Sequence, residues 1–143
     1  MKTTTKFFLS SLMFAVFALF LIGSGDETSD DEKDNIKNDK GISITAVDLR
    51  AEAEKNEVNY IKKYKGKVLV ISGKVEEFDT GLSEDEVIIK LSAGAYTSVR
   101  CKMDASQEDA IAAISKGDRV KIKGMSDGVL MGDPQVKGGL LVK

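Results

Sequence analysis

The chain of 143 residues contains no histidine and no tryptophan, and only one cysteine and one proline. Without histidine, the commonest general base and the commonest neutral metal ligand are both missing. A lone cysteine, Cys101, cannot close an internal disulfide, so any fold must rest on its core. No Gly-rich phosphate loop opens a helix, and no Ser–His set or cluster of ligating residues stands out. The neighbouring carboxylates Glu76–Glu77 and Asp85–Glu86 would point to opposite faces of a strand and could not act as pairs. No catalytic residues, metal site or cofactor are therefore expected. Positive charge is short as well. Residues 1–25 hold Lys2 and Lys6 and no acid, which leaves 19 basic residues against 23 acidic ones in the remainder. A strongly basic nucleic-acid binder has a different balance.

What is present divides the chain into three. Lys2 and Lys6 precede an apolar run from Phe7 to Ile22, and Gly23-Ser24-Gly25 supplies small residues before Asp26. That pattern predicts an export signal over 1–25, cleaved or kept as an anchor. The run is shorter than the roughly 20 residues of a spanning helix. The expected location is exported: periplasmic, secreted, or tethered to a bacterial membrane through residues 7–22. No cysteine follows the small residues, so attachment through a lipoprotein cysteine is not expected. Residues 26–40 carry seven acids and one aliphatic side chain, Ile36, and are expected to form a disordered acidic linker. The folded domain is expected over 41–143. It would open with a helix capped by Thr45, with Asp48 as its capping-box partner and Ala46, Leu49 and Ala53 as its apolar stripe.

The strongest strand signal is Gly66–Phe78. Leu69, Ile71, Gly73 and Val75 share one face by the two-residue period. Val68 and Val70 are apolar on the other face, which implies cover there, assigned to the leading helix. Gly73 inside a strand marks a bulge or a tight bend. The pattern returns at Gly117–Gly124, again with aliphatic residues three and five places after the first glycine and a second glycine at seven. A second strand is expected over Glu86–Leu91 with Val87, Ile89 and Leu91 inward. A third is expected over Tyr96–Met103 with Val99, Cys101 and Met103 inward, which makes Cys101 a core residue. A helix capped by Ser106 should follow, burying Ala110, Ile111 and Ile114 and ending at Gly117. The fourth strand is placed at Arg119–Met125, then a loop at Ser126–Gly128, then a short last strand at Gly139–Val142. Pro134 is assigned to an edge or a loop.

Five strands with a helix between the third and fourth, after a leading helix, predict a mainly β chain folded as a five-stranded OB barrel. On the residues themselves the likeness becomes closer. Asn56-Glu57-Val58, Lys63-Tyr64-Lys65-Gly66-Lys67-Val68 and Ile71-Ser72-Gly73-Lys74-Val75 follow one another. With Val99-Arg100-Cys101, the Gly117–Gly124 strand and the closing segment at Gly138–Val142, this series resembles the tRNA_anti-like family of OB-fold proteins. The resemblance covers about Thr45 to Lys143. It implies an exported or lipid-anchored binding domain, while the family name records likeness to an anticodon-binding fold and not a ligand.

OB-folds bind on the outer face of strands two and three. The inward register places Ile88, Lys90, Ser98, Arg100 and Lys102 on that face, joined by Lys74 from strand one, with Phe78 and Tyr96 at strand ends. These form the candidate ligand site, a modest cationic strip able to meet an anion. Alternating Lys and Arg are also what the wet faces of strands look like, and stacking aromatics are few. The partner implied is a protein or an anionic ligand. Single-stranded nucleic acid is the alternative and not the favoured one.

Overall fold

A computed structural model describes residues 28–83 and 85–143. The export-signal expectation over 1–25 lies outside the described residues. Among those described, no helix is long and apolar enough to cross a membrane. In chain order the elements are α1 (Asp30–Asn38), β1 (Ile42–Thr45), α2 (Ala46–Lys55), α3 (Glu57–Tyr64), β2 (Val68–Thr80), β3 (Val87–Gly94) and β4 (Thr97–Met103). A 3-10 turn (Ala105–Gln107), α4 (Glu108–Ala112), β5 (Arg119–Leu130) and β6 (Asp133–Val142) complete it. The strands neighbour one another in the order β1, β2, β3, β4, β6, β5, and β5 pairs back onto β2. The five expected strands, β2 to β6, thus close into a barrel, with β4 and β6 parallel and the other contacts within it antiparallel.

Closure depends on β2. Its first half, Val68–Lys74, pairs with β5, and its second half, Val75–Thr80, pairs with β3. Gly73 sits at the changeover, where a Cβ would lie 3.1 Å from Ala46 Cβ and 3.2 Å from Leu91 Cβ. A side chain there would crowd the start of α2 and strand β3, so glycine eases their close approach. Leu69, Ile71, Ile89, Leu91, Val99, Cys101 and Ile122 are fully buried inside the barrel, together with Leu49 of α2. Thr45 Oγ1 accepts from the Asp48 N–H at 3.1 Å, as its capping position requires. Asn56 ends α2 and caps α3, whose Tyr60 and Tyr64 are buried while Val58 is exposed.

Several expectations need correction. The acidic stretch expected to be disordered instead contains α1 over Asp30–Asn38. Ser29 Oγ accepts from the Glu32 N–H, acids occupy the first turn and Lys37 the last, so the ends suit the helix dipole. Ile36, the single aliphatic residue there, is 1% exposed and packs with Val68, Met125 and Leu140. Lys137 Nζ holds Glu32 at 3.1 Å, and Lys123 Nζ donates to the Lys37 carbonyl at 3.0 Å. The cover beside Val68 therefore comes from α1 and not from the leading helix. The segment Ile42–Thr45, read as the approach to that helix, is β1, parallel to Leu69–Ser72.

Asp104 caps the 3-10 turn, its carboxylate accepting from both the N–H and the hydroxyl of Ser106, and α4 follows with Gln107 at its N-cap position and no side-chain cap, so Ser106 is not the cap. Ile111 and Ile114 are half-buried against the core, but Ala110 is exposed and Gly117 lies beyond the helix. Ser126–Gly128 is not a loop. A register irregularity between Ser126 and Val129 keeps β5 running to Leu130, and β6 starts at Asp133. Pro134 pairs opposite Val129 near the start of β6 and is fully buried.

If α1 is part of the fold, Ile36→Ala should lower the stability of the chain by about 2–5 kcal/mol, the usual range for truncating a buried isoleucine. Urea unfolding followed by far-UV circular dichroism reads it. A change below about 0.5 kcal/mol, typical of surface substitutions, would mean that α1 does not pack as described.

Candidate functional site

The cations of the expected site gather on the outer face of β3 and β4, where Glu86 was also expected to dilute the charge, but with two further acids, Glu77 and Asp79, that plain alternation does not place there. Strict alternation along β2 would turn Glu77 inward after Val75. A bulge between Val75 and Glu77 breaks that alternation. After it, Glu77 pairs opposite Lys90, Phe78 opposite Ile89 and Asp79 opposite Ile88. Phe78 therefore packs against the barrel core instead of the ligand face. Glu77 and Asp79 take the outer positions beside the cations.

Every cation of the strip on β3 and β4 then meets a carboxylate. Lys90 Nζ lies 3.0 Å from Glu77 and 3.5 Å from Asp79. Arg100 lies 3.7 Å from the same Asp79, and Lys102 Nζ lies 2.7 Å from Glu86. The hydrogen bond from Lys102 holds the Glu86 carboxyl below its usual range. The hydrogen bond that Lys90 donates to Glu77 raises the Lys90 ammonium above its own. Three cations against three acids leave a surface with no net charge to offer a phosphate backbone, whose binding draws on unneutralised Lys and Arg.

The remaining candidates lie elsewhere. Ser98 is 8% exposed, and its N–H and hydroxyl donate to Asp133 at 3.4 and 3.5 Å. Lys74 pairs opposite Arg119 on the far side of β2. Cys101 is fully buried, and burial pushes its thiol up to about 12, so it is a core residue and not a reactive one. Among the described residues no three His, Cys, Asp or Glu side chains gather as metal ligands.

Tyr96 stands at the tip of the β3–β4 hairpin, fully exposed at 103%. Its backbone has φ +60°, and the only other non-glycine residue at positive φ among those described is Met131, at φ +52°. Met131 is 97% exposed at the tip of the β5–β6 hairpin, next to Leu130 at 57%. Asp133 ties the two hairpin bases together through Ser98, and it also meets Arg50 Nε of α2 at 3.5 Å. Met131 and Leu130 were absent from the sequence-based site. The available signal was Met-Gly at a two-residue turn, where Asn-Gly is the usual choice.

The closed barrel with its helix between β4 and β5 makes this an OB-fold protein. The chain belongs to the tRNA_anti-like family, whose model matches residues 1–139. No curated protein matches it by sequence. Among solved structures it is similar to a "putative nucleic acid-binding lipoprotein" of Klebsiella pneumoniae, at 15% identity and TM-score 0.61, over 82% of this chain and 100% of that one. It also matches a putative aspartyl-tRNA synthetase of Leishmania major at 13% identity and TM-score 0.49, over 83% of this chain and 22% of that one.

Removing the acids should reveal the cations. The triple variant Glu77→Gln, Asp79→Asn, Glu86→Gln is expected to bind a single-stranded oligonucleotide with an affinity that falls as salt rises, while the wild-type chain shows no such binding. Fluorescence anisotropy at two salt concentrations reads both. Salt-dependent binding by the wild type, abolished by Arg100→Ala and Lys102→Ala, would show that the pairs do not mask the strip.

Proposed function

We propose that the chain is a non-catalytic, exported binding module whose partner is a protein of the cell envelope, met through the end of the barrel that carries Tyr96, Leu130 and Met131. The carrying observation is the conformation of the two tips. A left-handed backbone costs an ordinary residue about 1–2 kcal/mol and is normally given to Gly, Asn or Asp. Here it is given to Tyr96 and Met131, whose side chains are wholly exposed and contribute no packing. Large apolar groups held out at a structural cost fit a role in contact, and Tyr and Met are enriched at protein interfaces. Asp133, anchored to Ser98 and Arg50, keeps the two tips side by side.

The export half of the reading is supported by the charged and apolar pattern of residues 2–25 and by the lipoprotein description of the Klebsiella protein, although this chain has no cysteine after its small residues. Nucleic acid is the less favoured ligand, because the strip that would hold it is internally neutralised.

A photo-reactive amino acid placed at position 96 or 131 of the full chain should give a discrete protein adduct in cells. The same probe at position 82, exposed in the loop at the other end of β3, should not. No adduct at the tips, or equal adducts at all three positions, would refute the reading. Met131→Asn should meanwhile raise stability by up to about 1 kcal/mol, because Asn tolerates the left-handed backbone, while abolishing the adduct at 96.

A further inference from the structure

A second surface lies apart from both the paired strip and the hairpin tips. Where β2 leaves β5 for β3, a groove of about 1020 Å³ opens between the start of α2, helix α4 and the last residues of β6. Ala46, Ala113, Ile114, Val120 and Leu141 contribute its apolar lining. Lys74, Arg119 and Lys121 contribute its cationic rim, all three exposed. Lys74 and Lys121 alternate along two paired strands, with Lys74 opposite Arg119 and Ser72 opposite Lys121. Among the described residues no Asp or Glu side chain lines the groove, and none of the three cations forms an ion pair with a described residue. This is the reverse of the β3–β4 face, where each cation has its acid.

We infer that this groove binds a single-chain anionic amphiphile, with the acyl chain along the apolar lining and the acidic head against Lys74, Arg119 and Lys121. Charge complementarity selects the head, since three unpaired cations at one rim favour an anion. The lining selects the tail. Among the described residues it holds no aromatic side chain on which a nucleobase could stack. Its side-chain hydrogen-bonding groups below the rim are the hydroxyls of Thr45, Ser72 and Ser92. A peptide backbone would bring more polar groups than these can satisfy, whereas an alkyl chain brings none. The volume is at the upper end of the roughly 300–1,000 Å³ of small-ligand sites, enough for a chain and its head. The inference goes beyond the partner-protein reading and does not depend on it, because the hairpin tips and the groove share no residue.

The test is calorimetric titration of the full chain with dodecyl phosphate below its micellar concentration, beside dodecyl maltoside, which has the same chain and a neutral head. One equivalent of dodecyl phosphate should bind, at least about tenfold more tightly than the maltoside. Lys74→Glu with Lys121→Glu, both at exposed positions, should lose at least about tenfold for the phosphate and leave the maltoside unchanged. Ala113→Trp, which fills the groove from the exposed position just after α4, should abolish both. All variants keep the apolar run at 7–22, so their difference from wild type isolates the groove, and thermal unfolding confirms that they fold. Equal binding by Ala113→Trp and wild type would overturn the proposal. So would inorganic phosphate binding as tightly as dodecyl phosphate. Co-sedimentation with phosphatidylglycerol vesicles, in the absence of monomer binding, would point to a membrane surface and overturn it as well.

Discussion

The bulge between Val75 and Glu77 is the constraint on which most of this structure depends. β2 is 13 residues long and must serve two partners, β5 through its first half and β3 through its second. A strand that changes partner around a small barrel has to coil, and a bulge together with a close-approach glycine is how tight curvature is built. The extra residue shifts the alternation by one. Before it, Leu69, Ile71 and Val75 face the core. After it, Phe78 takes the inward place, and Glu77 and Asp79 turn outward. Barrel closure and surface charge are thus set by the same backbone feature. Without the slip, Glu77 would be buried unpaired, which is costly, and Lys90 and Arg100 would lack their acids.

The same feature explains what could and could not be read from the residues. Val99, Cys101 and Met103 alternate without interruption, and the structure buries all three. The order of strands and the interposed helix followed from period and turn residues alone. The outward turn of Glu77 and Asp79 did not, because a bulge leaves no mark in a run such as Val75-Glu76-Glu77-Phe78-Asp79 that plain alternation could not also accommodate. Ile36 was illegible for a different reason. One aliphatic residue among seven acids reads as a solvated spacer, and only the apolar Val68–Met125–Leu140 patch opposite gives α1 something to cover. β1 has four residues and runs straight into the capped helix, so its pattern merges with the helix start. The groove draws on seven elements of the chain, and no local window contains it.

Charge is distributed over the barrel in two distinct ways, and pH separates them. Glu86 is depressed by Lys102, so its pairing contributes above the ordinary carboxylate value of 4.5 and is lost as pH falls through the lowered one. Lys90 is raised by Glu77, so its pairing is complete below the ordinary 10.5 and is lost as pH rises through the raised value. Between those limits the β3–β4 face stays neutral. These groups are exposed, so the effect governs surface potential far more than stability. At the groove rim no Asp or Glu of the described residues forms an ion pair with Lys74, Arg119 or Lys121. A fold whose customary ligand face has been neutralised, with its unpaired cations gathered beside an apolar groove instead, is arranged to attract an anion somewhere other than on that face. The barrel explains the architecture, and the pairing of three carboxylates with three cations on its β3–β4 face explains why this member need not share the ligand of proteins it resembles in outline.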